Sequence, residues 1–257
     1  ISSDNSPHCR LVRQAAAVGT LFKGFNIPSR RRSIQETCFV FPREACATHA
    51  SQRCRPERIR KASCFALDVA VAQPQPKRVA VVNAASSRQI GGGFFSGGRH
   101  ALEEALCTQS TLIFSLLEAS RRAKRETWGL CHSIHIPENG AVLSPHVEVI
   151  RKGTAEGYES IQPVELAAVL SIAMPNRNPC VRNNPTYHGS ATEYEHLIEQ
   201  KFKAVLEGAD KVGAQVLIIP DVGCGVFKND PRVVGKILGS VLASDVRISE
   251  VILVGSD

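Results

Sequence analysis

Two glycine-rich stretches and one pair of carboxylates are the residues of this 257-residue chain best suited to chemistry. The first stretch follows Asn83. It places Gly91, Gly92 and Gly93 in a loop and Glu103–Glu104 at the start of a helix. Three glycines in a row are costly in backbone entropy, and such a loop is usually kept for close approach to a ligand. Adjacent carboxylates in a first helical turn can also be there only to suit the helix dipole. Beside a triple glycine that reading weakens. Consecutive helical residues project about 100° apart, so both carboxylates can reach one ligand from different angles. Carboxylate pairs are the tools of general acid–base work and glycoside cleavage.

The second stretch is "PDVGCGVFKNDP", residues 220–231. Gly223 and Gly225 let the backbone approach a ligand closely. The amides of Cys224, Val226 and Phe227 can line an anion nest, and the helix that follows adds a positive dipole end. A diphosphate is the natural guest. A tight strand-to-helix turn is the competing reading. The loop is neither a phosphate-binding Walker loop, since no Gly-Lys-Ser/Thr follows, nor a dinucleotide fingerprint, since the third glycine is missing.

The elements that must position these loops can be read from the apolar pattern. "VAVVN" (79–83) is a short Val-rich run expected of a strand buried on both faces. A helix is expected over 101–124, strands over 141–151 and 164–174 (the latter also compatible with a helix), and an amphipathic helix over 190–210. "AQVLIIPDVG" reads as a buried strand ending in the second loop. Asp230 is placed as N-cap and Pro231 as the first helical residue of the next helix, and "ISEVILVG" reads as the last strand. Upstream, helical spacing is found at 10–22, 33–39 and 58–72, broken by "AQPQPKR". Strands alternating with helices predict an α/β sandwich with a mainly parallel or mixed sheet. Ligands of such sheets sit outside the carboxyl ends of the strands, so both loops point to one shared site.

Composition bounds the alternatives. The formal net charge is +7, but the first 61 residues hold 12 basic and 4 acidic side chains, while the remainder hold 19 and 20. A basic segment therefore precedes a near-neutral body. It is either a solvated extension or an arm steering the protein to an acidic partner. No apolar run approaches the roughly 20 residues of a membrane helix. Nine cysteines, an odd number without a CxxC, are read as free thiols of a reducing compartment, cytoplasm or nucleus. The chain opens on Ile1, from which a processed or trimmed N-terminus is expected. Cys131, His132 and His135 are the nearest approach to a metal cluster, and ordinary packing is expected for them. Trp128 is expected beneath a helix end. The polar stretch 174–189 is read as a solvent loop that can rim the site, with Tyr187 and His188 as conceivable adenine contacts.

"VVNAASSRQIGGGFFSGGRHALEEALCTQSTL" resembles the signature of microbial-type poly(ADP-ribose) glycohydrolases, which are built on a macrodomain. That family has a triple glycine, a short spacer and Gln-Glu-Glu. Here Gly91, Gly92 and Gly93 match the glycines, and Leu102–Glu103–Glu104 stands in the place of the Gln-Glu-Glu. "GCGVFKNDP" is similar to the family's diphosphate loop. Leu102 replaces the family's Gln, and Ile90 replaces the Pro usual before the glycines. The resemblance spans about residues 58–254. It implies a three-layer α/β/α macrodomain over 58–257, with a mixed, largely parallel sheet, behind a basic, partly helical N-terminal extension over 1–57.

Residue by residue, the resemblance implies that Glu104 is the catalytic acid. It implies that Glu103 binds the adjoining ribose and that Gly223, Cys224, Gly225 and Val226 cradle the diphosphate. Phe227 then packs on the distal ribose and Asn83 contacts it. The implied reaction is cleavage at the anomeric carbon of ADP-ribose in poly- or mono-ADP-ribosylated substrates, with release of ADP-ribose. No metal or other cofactor is implied. The expected state is a monomer with neither membrane nor nucleic-acid partner. A reader module that binds ADP-ribose without cleaving it is the alternative function. A nucleic-acid-binding protein built on the basic segment ranks third.

Overall fold

The computed structural model describes residues 6–43, 56–74, 76–97, 101–126, 134–182, 184–243 and 247–255. The strands are β1 (Cys38–Val40), β2 (Arg58–Ala62), β3 (Val79–Ala84), β4 (Ala141–Pro145), β5 (Glu148–Arg151), β6 (Ser160–Glu165), β7 (Ala168–Ile172), β8 (Val216–Pro220) and β9 (Glu250–Val254). The helices are α1 (Pro7–Phe25), α2 (Ser29–Glu36), α3 (Ala66–Val71), α4 (Leu102–Gln109), α5 (Leu112–Ala123), α6 (Ala191–Lys211) and α7 (Pro231–Leu242).

A seven-stranded sheet runs in the order β1–β4–β7–β3–β8–β9–β2. The five strands from β7 to β2 are parallel, and β4 is antiparallel to both its neighbours. The unbroken apolar run of β3 follows from burial on both faces. Ala80 and Val82 pack with Ile198 and Phe202 of α6 and Val234 of α7. Val79 and Val81 pack on the other face with Leu67 of α3, Leu106 of α4 and Leu116 of α5. The result is the expected three-layer α/β/α sandwich with a mixed, largely parallel sheet. Strands β5 and β6 form a separate hairpin.

Several elements depart from the sequence expectation for physical reasons. Residues 58–72, with helical spacing, instead form β2 and the short α3. β2 is an edge strand held by its ladder to β9, with Ile59 left 53% exposed. The helix expected over 101–124 breaks at Ser110–Thr111. There Ser110 bridges to Val149, and the Thr111 amide donates to the Glu148 carbonyl at 3.0 Å. The segment 141–151 divides at His146, whose φ of 55° turns the chain from the main sheet into the hairpin. Residues 164–174 are strand on both sides of a break at Leu166–Ala167 and not helix. The helix expected at 33–39 ends at Glu36, and Cys38–Val40 joins the sheet beside β4. Trp128, Cys131 and His132 lie outside the described residues.

Described elements upstream of residue 57 pack on the sheet and its helices. β1 is a strand of the main sheet, and α1 lies against the helical layer through Ala17. Lys23 Nζ of α1 donates to the carbonyls of Ile150 (3.3 Å) and Ile161 (2.9 Å). Among the described residues no helix is long and apolar enough to cross a membrane.

Candidate functional site

The carboxyl ends of β3, β7 and β8 lie on one side of the sheet, as their parallel pairing requires. The loop after β3 leads through the triple glycine into α4, and the loop after β8 leads into α7. Asn83, Gly91–Gly93, Glu103, Glu104 and Gly223–Phe227 are thereby brought to one end of the fold.

Glu103 and Glu104 sit in the first turn of α4, and neighbouring positions have given them different surroundings. Glu103 is 4% exposed. Its Oε2 accepts the Ser86 amide at 2.9 Å and its Oε1 the Gly91 amide at 3.2 Å, so one side chain ties down both ends of a six-residue turn. Burial pushes its carboxyl up to about 8, aided by the neighbouring Glu104 and opposed by the Ser86 and Gly91 amides. Glu104 is only partly buried, and its Oε1 accepts the Gly93 amide at 2.6 Å. Burial raises its pKa too, against the backbone amides, chiefly that of Gly93, that favour the charged form. A carboxyl whose hold on its proton is strengthened by burial while it reaches an open loop is suited to general-acid work.

The glycines have a reason beyond ligand approach. Gly92 has φ +56°, and a Cβ there would lie 2.7 Å from the carboxyl carbon of Glu104. The bare backbone is what lets the loop wrap the Glu104 side chain. On the other side of α4's entry, Gly97 abuts α1. Arg13 Nε donates to the Gly97 carbonyl at 3.3 Å, and Arg10 Nε and Gln14 Nε2 donate to the Ser96 carbonyl at 3.0 and 3.1 Å.

The second loop is built in the opposite sense, with its carbonyls engaged. The Gly223 carbonyl accepts the Asn229 amide (3.1 Å) and Nδ2 (2.8 Å), and the Gly225 carbonyl accepts Lys228 N at 3.2 Å. The Val226 carbonyl accepts Asn178 Nδ2 at 2.8 Å, and the Phe227 carbonyl accepts Arg177 N at 2.9 Å. The amides of Cys224 through Phe227 donate to no acceptor among the described residues. A row of such amides at a helix start is an anion-binding concavity. Gly223 has φ +74°, and a Cβ on it would lie 2.5 Å from the Met174 Cβ, whereas a Cβ on Gly225 would meet open space. The Cys224 thiol is turned inward to the Val222 carbonyl at 3.6 Å. Asp230 caps α7 by accepting Arg232 N at 2.8 Å, with Pro231 as the first helical residue, as the sequence predicts.

Asn83 is fully buried at the end of β3. Its Nδ2 donates to Ser171 Oγ at 3.1 Å, and its Oδ1 has no partner among the described residues. A buried carbonyl oxygen without a donor at a strand end is an acceptor available to a ligand hydroxyl. His135 is buried and neutral, its pKa lowered to about 4 by burial, and its amide donates to the Ser87 carbonyl at 2.9 Å. Among the described residues no group of three His, Cys, Asp or Glu is poised to hold a metal ion.

Sequence reasoning missed the asparagines that join the loop after β7 to the second loop. Besides Asn178, Asn229 Nδ2 donates to the Pro175 carbonyl at 3.1 Å, and its Oδ1 accepts the Tyr194 hydroxyl at 2.7 Å. Asn184 Nδ2 reaches Ser86 Oγ at 3.3 Å, which links this rim to the turn that Glu103 ties down. The density of Asn in "MPNRNPCVRNN" was the available signal. Tyr187, a conceivable adenine contact, sets its ring against that of Tyr194, centroids 5.9 Å apart and tilted by 50°.

Comparisons with known proteins bear on the family and the fold. The family model described as "Microbial-type PARG, catalytic domain" matches residues 23–152. No curated protein matches the chain. Among solved structures, the chain is similar to poly(ADP-ribose) glycohydrolase from Thermomonospora curvata. Identity is 25% over 96% of this chain and 93% of that one, with a TM-score of 0.71. The same enzyme bound to the inhibitor ADP-HPD matches at 25% identity over 97% and 94%, with a TM-score of 0.70. Poly(ADP-ribose) glycohydrolase from Deinococcus radiodurans in complex with ADP-ribose matches at 21% over 90% and 92%, with a TM-score of 0.70, a likeness of fold.

Proposed function

The chain belongs to the family of microbial-type PARG catalytic domains, and from that premise we propose how its residues carry the reaction. The protein is an ADP-ribosyl glycohydrolase. It cleaves the bond at the anomeric carbon of ADP-ribose and releases ADP-ribose. The observation that carries the assignment of residues is the shared sheet end. There the first turn of α4, with its carboxylate pair, and the loop with the free amides of residues 224–227 stand at the same end of the sheet.

In the proposed mechanism the amides of Cys224, Gly225, Val226 and Phe227 and the start of α7 hold the diphosphate. Asn83 Oδ1 accepts a hydroxyl of the distal ribose, and the Phe227 ring lies against that sugar. Glu104 gives its proton to the departing oxygen, so the anomeric carbon passes through an oxocarbenium-like state. The resulting carboxylate then takes a proton from the water that attacks this carbon. Glu103 keeps the Ser86–Gly91 turn closed and so fixes the register of the triple glycine around Glu104. This is a positioning part in addition to any ribose contact. Leu102 stands at the first position of α4, where a Gln amide is not needed to cap the helix.

The direct test is incubation with poly(ADP-ribosyl)ated and mono(ADP-ribosyl)ated protein, with Glu104→Gln as control. Release of ADP-ribose by the parent and a loss of at least about a thousandfold in the variant is the expected result. Binding of ADP-ribose with no release from any linkage would instead make the protein a reader.

A further inference from the structure

Helix α1 carries its charges inward and its apolar side chains outward. Its three Lys and Arg side chains all donate to backbone carbonyls of the domain: Arg10 to Ser96, Arg13 to Gly97, and Lys23 to Ile150 and Ile161. The helix holds no carboxylate. Its solvent face presents Leu11, Ala15, Val18, Phe22 and Phe25, at alternating intervals of four and three. Phe22 is 74% exposed, Phe25 65%, Leu11 63% and Val18 51%. Between Leu11 and Phe25 no exposed side chain is charged. A surface helix ordinarily shows water its polar side. Single exposed apolar residues need no account, but a continuous ridge of them marks an interaction surface.

Spacing and charge together say what covers the ridge. Apolar residues at intervals of four and three form the seam along which two helices pack, knobs into holes. A helix that lies on an anionic membrane keeps its cations at the rim for the headgroups. Here Arg10, Arg13 and Lys23 are spent on the domain's own carbonyls. Arg30 of α2 lies over the Phe25 ring, 4.0 Å from its centroid, and leaves Leu11, Val18 and Phe22 bare. A neutral ridge is best covered by another neutral ridge, and this one is matched to itself. Leu11 and Phe22 lie equally far on either side of the midpoint between Ala15 and Val18. An antiparallel two-fold through that midpoint sets Ala15 against Val18, and Leu11 against Phe22, of a second copy. Exposed His8 continues the spacing and then meets Phe25. The ridge runs about 21 Å along the helix. Pairing it removes roughly 1,000 Å² from water in total, the size of a weak, reversible interface.

We propose that the exposed face of α1 is a docking surface for a second copy of this chain, paired antiparallel about Ala15 and Val18. The pair replaces the monomer expected from the sequence. Arg10, Arg13 and Gln14 of the same helix hold the Ser96–Gly97 end of the triple-glycine loop, so the two-fold joins the braces of two candidate sites. The inference does not depend on the reaction assigned above.

The experiment is sedimentation velocity of the full chain from about 1 to 200 µM, a range that brackets a weak interface. The parent is expected to pass from monomer to dimer across it. Phe22→Glu should weaken association by at least about thirtyfold, since it sets a carboxylate against Leu11 of the other copy twice. The double variant Leu11→Glu/Phe22→Lys should recover at least about tenfold of that loss, because each new carboxylate faces the new ammonium of the other copy. Within one helix the two positions lie about 16 Å apart and cannot pair. Both are exposed, and circular dichroism checks that the variants fold. A parent that is monomeric throughout overturns the proposal, as does a dimer that Phe22→Glu leaves intact. A double variant no tighter than Phe22→Glu overturns the antiparallel pairing. A monomeric parent that co-sediments with vesicles of equimolar phosphatidylcholine and phosphatidylglycerol overturns the second copy and assigns the face to lipid.

Discussion

Glu103 offers a test that does not depend on substrate. Its carboxyl is held at about 8 in the native protein against an ordinary value of 4.5. Below about pH 4.5 both states keep the proton and the contribution is complete. Above it the unfolded chain releases a proton that the native state retains, so stability falls with rising pH until Glu103 ionises near 8. At about 1.4 kcal/mol for each pH unit, ionising this buried group costs the native state about 5 kcal/mol across the full window. About 4 kcal/mol of that falls between pH 5 and pH 9. Urea unfolding followed by circular dichroism at pH 5, 7 and 9, in the parent and in Glu103→Gln, isolates the effect. The variant cannot accept both loop amides and should be weaker by about 1–3 kcal/mol at pH 5. Its stability should then change much less with pH than the parent's, because other titrating groups are common to both. Parallel curves over pH 5–9 would refute the reasoning. They would mean that the Ser86 and Gly91 amides outweigh burial and keep Glu103 ionised throughout.

The remaining predictions concern the loops and the first helix. Gly92→Ala should lower kcat on poly(ADP-ribose) by about a hundredfold with an unchanged circular dichroism spectrum, because its Cβ displaces the Glu104 carboxyl. Gly225→Ala should leave stability within about 0.5 kcal/mol, since its Cβ meets open space, yet weaken ADP-ribose binding in calorimetry by roughly tenfold. Gly223→Ala, at φ +74° against Met174, should cost about 1–3 kcal/mol in a denaturant melt. Removal of residues 1–25 should lower Tm by about 10 °C or more, because α1 packs on the helical layer; an unchanged Tm would support the expected division at residue 57.

Much of this architecture was legible because its causes are local. The apolar runs of β3 and β8 are continuous since helices cover both sheet faces, and the Asp230–Pro231 pair announces a helix start wherever it folds. β2 was not legible. Its Arg-Ile-Arg-Lys-Ala has no buried face of its own and is a strand only through its ladder to β9, which lies almost two hundred residues further on. The break between α4 and α5 has the same character, since Ser110–Thr111 leaves the helix to pair with β5. In the candidate site, residue types at fixed spacing pointed to both loops and the carboxylates, which the fold brings to one end of the sheet. The tasks of individual glycines were not readable, because the conflict at Gly92 is with Glu104 and that at Gly223 is with Met174.

Two adjacent carboxylates divide their work because the loop treats them differently. Glu103 spends both oxygens on backbone amides, Ser86 at one end of the turn and Gly91 at the other, and becomes part of the frame. Glu104 engages Gly93 through one oxygen and stays partly exposed. The far side of the same loop is held from outside the motif, by Arg13 on Gly97 and by Arg10 and Gln14 on Ser96. With the turn tied at 86–91 and the chain braced at 96–97, the backbone at Gly92–Gly93 has little freedom left. A carboxyl wrapped by such a segment is positioned before any ligand arrives, and preorganisation of this kind is where an enzyme gains over water. Part of the basic charge that the sequence concentrates upstream of the motif thus serves the site mechanically, through Arg10 and Arg13, with no phosphate involved.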